Sequence, residues 1–205
     1  MYIGTLPCDT CSGILTYLTF ETDSTVTLAA IYEDDYGTVI TDYGTWTQND
    51  SILSTNLSKS KRNFVVKSDS EIATLTSRNS DSRKLKREKS YVAAYFNGTY
   101  MDDKSDNNSQ TLMIRSLSDT EAQVDISSSR GADKGCAFSG TGKVVNNQII
   151  IPMKDVSPSF TGNLIIRPDG DDKMVVSAGE WRNRNELNTF CKDNGTLAGH
   201  YKRVD

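Results

Sequence analysis

Cys8 and Cys11 stand two residues apart in Leu6-Pro7-Cys8-Asp9-Thr10-Cys11-Ser12-Gly13, and no other residues of this 205-residue chain are so well spaced for chemistry. Two thiols at that separation can close a small disulfide, cycle as a redox pair, or hold a soft metal when reduced, with copper(I) the obvious candidate. A thioredoxin-type redox pair would open a helix, whereas Ile14–Phe20 after Cys11 reads as a strand. A tetrahedral zinc site usually brings a second close pair, and Cys136 and Cys191 are far apart in sequence. A loop disulfide and a soft-metal pair both remain open for Cys8 and Cys11. Cys136 and Cys191 are the only cysteines of the second half, so they are expected to bond to each other. That bond would constrain the unfolded chain by about 4 kcal/mol in the chain-entropy model. Closing the short Cys8–Cys11 loop gains under about 2 kcal/mol, which leaves it the easier of the two to reduce.

Other chemistry is poorly provided for. His200 is the single histidine, so sites with two or three imidazole ligands cannot be built from one chain. It reads as a surface residue of the last strand, and no Gly-x-Ser-x-Gly elbow supplies a nucleophile for it. The carboxylates Glu33-Asp34-Asp35 and Asp102-Asp103 read as solvated loop tips, and Asp102–Ser109 lacks the spacing and central glycine of a calcium loop. No catalytic residue is assigned, and no enzyme is expected. Basic and acidic residues number 23 and 27, a net charge of −4, with a pI near 5.1. That balance excludes a dedicated nucleic-acid binder. No run approaches the roughly 18–20 apolar residues of a spanning helix. The one dense charge run, Arg83-Lys84-Leu85-Lys86-Arg87-Glu88-Lys89, reads as a solvated strand end and linker.

The elements that must position these residues are strands. Runs such as Ile14–Phe20, Thr25–Tyr32, Thr38–Trp46, Thr111–Leu117 and Lys173–Ala178 are rich in β-branched and aromatic residues. Ala122, Val124 and Ile126 alternate with Gln123, Asp125 and Ser127, the period of a strand with one wet face. Turn chemistry such as Pro168-Asp169-Gly170-Asp171 separates the runs every 10–12 residues or so. The chain is therefore predicted to be all-β, with two small antiparallel lipocalin-like barrels in tandem. The turn cluster Asn79–Ser82 and the basic run place one domain at residues 1–88 and the other at 91–205. Gly44-Thr45-Trp46 and Gly98-Thr99-Tyr100 echo each other and hint at duplication. Tyr17, Tyr32, Tyr36, Tyr43, Trp46 and Phe64 could line the first lumen, although a barrel this small is expected to be filled by side chains.

The string Tyr2-Ile3-Gly4-Thr5-Leu6-Pro7-Cys8-Asp9-Thr10-Cys11-Ser12-Gly13-Ile14 resembles the opening of the N-terminal domain of the NlpE (CutF) copper-resistance lipoprotein family. Tyr43-Gly44-Thr45-Trp46 matches a second family feature, and Asn63–Leu75 follows with similar spacing. The resemblance covers about residues 1–90. It implies a lipocalin-like barrel in the cell envelope, held at the outer membrane by a lipidated cysteine upstream of the barrel and outside this sequence. It further implies copper tolerance, an envelope-stress or surface-sensing role, and an envelope signalling protein as partner. Residues 91–205 do not match the second domain of the best-known member. The methionines, at 1, 101, 113, 153 and 174, form no copper-binding cluster. An alternative reading is a β-barrel binding protein, either an inhibitor of host lysozyme built on the second half or a carrier of a small apolar ligand.

Overall fold

The computed structural model describes residues 1–32, 35–75, 84–102, 109–128, 135–192 and 195–204. The chain divides into two compact units that follow one another in sequence at Lys89 and Ser90. Each is a closed antiparallel barrel of eight strands, so the architecture is all-β. The Asn79–Ser82 turn cluster and Arg83 lie outside the described residues, as do Glu33, Asp34 and residues 103–108.

The first barrel runs through β1 (Tyr2–Leu6), β2 (Ile14–Phe20), β3 (Thr25–Tyr32), β4 (Asp35–Asn49), β5 (Ile52–Leu57), β6 (Lys61–Ser68), β7 (Glu71–Thr74) and β8 (Lys84–Arg87). Each strand pairs with the next, and β8 closes the ring on β1 through Tyr2 opposite Arg87 and Ile3 opposite Lys86. This corrects the reading of the basic run as a solvated strand end and linker. Leu85 is fully buried between Lys84 and Lys86, so the run supplies the closing strand. Period-2 alternation lets one apolar residue face inward while its cationic neighbours stay wet.

The lumen is filled. Leu18, Leu28, Leu53, Phe64, Ile72 and Leu85 belong to one packed cluster. The side chain of Tyr36 lies outside the described ones; of the other aromatic residues expected to line the lumen, only Phe64 is fully buried in this cluster. Tyr43 is 58% exposed, and Tyr17 stands on the opposite face of β2 from Leu18. Trp46 packs at the cluster's edge, edge-on to Phe20 at 5.3 Å, and its indole N–H donates to the Glu21 carbonyl at 3.0 Å. β4 pairs with β3 up to Thr45 and with β5 from Gly44 onward. A Cβ at Gly44 would lie 2.1 Å from the Asn56 carbonyl oxygen, so only glycine lets the strand serve both neighbours there.

The second barrel comprises β9 (Gly98–Asp102), β10 (Gln110–Ser116), β11 (Glu121–Ser128), β12 (Ala137–Val145), β13 (Gln148–Pro152), β14 (Asn163–Pro168), β15 (Lys173–Ala178) and β16 (Gly199–Arg203). It closes through β16 and β9, with Arg203 opposite Tyr100. The inward residues Ala122, Val124 and Ile126 of β11 are buried as their alternation requires. Tight turns follow backbone chemistry: Asn146 and Asn147 both adopt positive φ between β12 and β13, and Gly170 does so between β14 and β15. A 3-10 turn, Ala93–Phe96, carries Ala93 and Phe96 into the core ahead of β9. Arg203 holds that turn by donating to the Asn97 carbonyl at 2.9 Å while its guanidinium lies 4.9 Å from the Tyr100 ring centre. The described residues include one short α-helix, α1 (Arg184–Asn188).

The tripeptide echo does not mark equivalent strands. Gly44–Trp46 lies in β4, fourth in its barrel, and Gly98–Tyr100 opens β9, the first of its own.

Candidate functional site: the disulfide loop and the mouth of the first barrel

Leu6 pairs with Ile14, and the seven residues between them form the loop joining β1 to β2. Cys8 and Cys11 are bonded across it, with Cα atoms 5.3 Å apart. Pro7, Asp9 and Thr10 are exposed and the two cysteines half-buried, so the loop stands outside the packed cluster. While the bond is intact neither sulfur is a thiolate, and soft-metal ligation must wait for its reduction. Among the described residues, no group of three or more His, Cys, Asp or Glu is placed to hold a metal. Two thiolates alone would suit a soft, low-coordinate ion, and only in the reduced state.

The loop forms one wall of an open cavity of about 810 Å³. Leu6, Ile14, Tyr32 and Leu75 give it apolar surface, and Lys61 and Arg62 bring two cations. A smaller cavity of about 350 Å³ lies at the other end of the same barrel, bordered by Tyr2, Phe20 and Trp46. Ile14 begins β2 and Phe20 ends it, and the packed cluster lies between the two hollows.

Asp42 shapes the cationic side of the mouth. Its carboxylate accepts from the backbone N–H of Tyr43 at 2.9 Å, of Ser58 at 3.0 Å and of Lys59 at 3.1 Å, and also from the Ser58 hydroxyl. Burial works to raise this carboxyl, but the Ser58 hydroxyl and the three backbone donors outweigh it and hold the group below the usual carboxylate range. The bonds fix the turn between β5 and β6, and with it the start of β6 at Lys61 and Arg62. Sequence reasoning missed Asp42, because Ser58 and Lys59, the partners that make it a turn organiser, lie 16 and 17 residues away.

Residues 2–86 match the family model of the NlpE N-terminal domain, a stretch that runs from β1 into β8. The first barrel is similar to the NlpE N-terminal domain. Among solved structures, the crystal structure of the Cpx pathway activator NlpE from Escherichia coli matches at 15% identity and a TM-score of 0.34. That match covers 87% of this chain and 91% of the other, and at this score it adds nothing to the topology described above. Comparison with curated proteins gives no match.

Beyond the NlpE-type barrel, the second disulfide joins Cys136 to Cys191 across 55 residues. Cys136 is only 2% exposed and belongs to the core. The Phe138 and Phe190 rings meet edge-on beside the bond at 5.2 Å, and Ala137 N–H donates to the Phe190 carbonyl at 2.9 Å. This bond ties the segment after α1 to the start of β12. His200 lies on β16 opposite Val175, with its Nδ1 3.5 Å from an Asp169 carboxylate oxygen. Glu186 of α1 accepts from the backbone N–H of Thr161 and Gly162 and from the Asn183 amide, at 2.9–3.1 Å. Burial works to raise its carboxyl, but these donors prevail and hold it low. No helix among the described residues is long and apolar enough to cross a membrane.

Proposed function

We propose that this chain is a non-enzymatic cell-envelope protein whose NlpE-type barrel uses Cys8 and Cys11 to respond to redox or copper stress. The observation that carries the reading is the position of their disulfide, on an exposed loop at the barrel mouth and outside the packed cluster. A bond so placed is open to thiol–disulfide exchange, whereas a buried one is shielded. Two electrons from a dithiol donor, with two protons, would convert it to two thiols. The same thiols, deprotonated, are the residues that would hold copper(I), and their link within one short loop keeps both sulfurs near a single point. The opened loop then differs in shape from the closed one, and an envelope signalling protein that reads the mouth could tell the two apart. The match of residues 2–86 to the N-terminal domain of an envelope lipoprotein family adds an outer-membrane lipid anchor to this reading. The barrel's strand pairing does not depend on the loop bond, so Cys8→Ala with Cys11→Ala should leave the protein folded and abolish copper tolerance or stress signalling. Normal signalling and tolerance in the double variant would reduce the bond to a staple.

A further inference from the structure

We propose that the mouth of the first barrel binds a single-chain anionic amphiphile, its head on Lys61 and Arg62 and its chain against the apolar wall. Three observations meet there. The cavity, at about 810 Å³, lies within the size range of small-ligand sites, which join apolar walls to a few polar groups. Leu75, 50% exposed, shares that wall with Leu6 and Ile14, so apolar surface faces water at the mouth. Lys61 and Arg62 line the same space, and neither is bonded to a carboxylate among the described residues. One acid, Asp9, also lines it, which leaves the described lining with a net positive charge.

The floor sets the shape of the ligand. Leu18, Phe64, Ile72 and Leu85 are fully buried beneath the mouth and separate it from the hollow at the other end. The site is a cup closed by this packed cluster, so a chain cannot thread through the barrel. Thr74 adds a polar point in the wall: its hydroxyl oxygen is shielded from solvent and has no hydrogen-bond partner among the described residues. A buried hydroxyl left unpaired is costly, and an anionic head would satisfy it. Asp42 meanwhile holds the turn before Lys61, which fixes the backbone from which the two cations extend. This site goes beyond the redox reading, since it needs the position of the Cys8–Cys11 loop and not its chemistry.

Calorimetric titration of the full oxidised chain with dodecanoate, dodecyl phosphate, dodecyl maltoside and inorganic phosphate tests it, each amphiphile below its micellar concentration. Both dodecyl anions should bind, and the tighter one identifies the head, carboxylate or phosphate. Lys61→Ala with Arg62→Ala should weaken both by about tenfold or more, as loss of charge-assisted bonds predicts. Thr74→Val, which keeps the side chain's shape, should weaken them by a smaller factor. Methyl NMR shifts of Leu6, Ile14 and Leu75 in the unaltered protein give a readout that needs no variant. The proposal fails if dodecyl maltoside binds as tightly as the anions, or if inorganic phosphate equals dodecyl phosphate. It also fails if neither anion binds, if shifts fall outside the mouth, or if a folded double variant binds unchanged.

Discussion

The two disulfides occupy opposite environments, and the difference separates a bond that holds structure from one that is available for chemistry. Cys136–Cys191 spans 55 residues beside the paired Phe138 and Phe190 rings, with Cys136 in the core of the second barrel and Cys191 packed against it. Cys8–Cys11 closes three residues of separation on an exposed loop that the NlpE-type barrel does not need for strand pairing. Burial removes a disulfide from solvent reductants, and loop length decides how much chain entropy it restrains. Both factors act in the same direction here. The buried bond is the structural one.

The largest effect expected from breaking this contrast is at Cys136 and Cys191. Replacing both by Ala should cost the second barrel about 4 kcal/mol, together with any cavity left beside Phe138. Thermal denaturation followed by a second-barrel probe checks this, and an unchanged midpoint would deny the bond its structural role. Next comes Asp42 in the first barrel. Asp42→Ala strips the acceptor from three backbone donors and one hydroxyl, and a loss of about 3 kcal/mol is expected in urea unfolding.

A pH series sharpens the same point. The Asp42 carboxyl titrates lower in the folded protein than in the unfolded chain, because its donors outweigh the burial that would raise it. Its contribution is therefore fully present above the unfolded value of about 3.9 and is lost as pH falls through the lower folded value. Glu186 behaves alike in the second barrel, with an unfolded value of about 4.3. Acid unfolding should begin below about pH 4 in the unaltered protein, and Asp42→Ala should flatten the first barrel's share of that dependence. Smallest of all is Cys8→Ala with Cys11→Ala, expected to lower stability by under about 2 kcal/mol. A loss as large as that at Cys136–Cys191 would erase the distinction between the two bonds.

The fold was legible where strands carry strong alternation. β2, β3 and β15 have the bounds that their β-branched runs suggest, and β11 turns Ala122, Val124 and Ile126 inward. β8 was hidden because a four-residue strand with one apolar residue has almost no periodicity to show. β12 was hidden as well: Gly140 and Gly142 stand where bulkier residues would collide with Ile151 and Ile149, so close packing replaced the usual strand composition. The cysteine loop was visible as a local motif. Its cavity was not, because Lys61, Thr74 and Leu75 join it only through the register of β5, β6 and β7. Asp42 was equally out of reach, since nothing local distinguishes a carboxylate that organises a distant turn from a solvated one.

The clasp formed by Arg203 bears on the order of folding. Its partner carbonyl at Asn97 is 106 residues earlier in the chain, and β9 gains its second neighbour only when β16 arrives. Hairpins from β10 to β15 can form from local contacts, but the ring closes through the most distant pairing it contains. Such long-range closure slows folding, because the entropy of bringing the ends together is spent before the contact rewards it. Until that moment β9 offers a bare edge, and Tyr100 lacks the guanidinium that lies against it in the finished barrel. The interval between synthesis of Tyr100 and of Arg203 is thus when the second barrel is most exposed to mispairing.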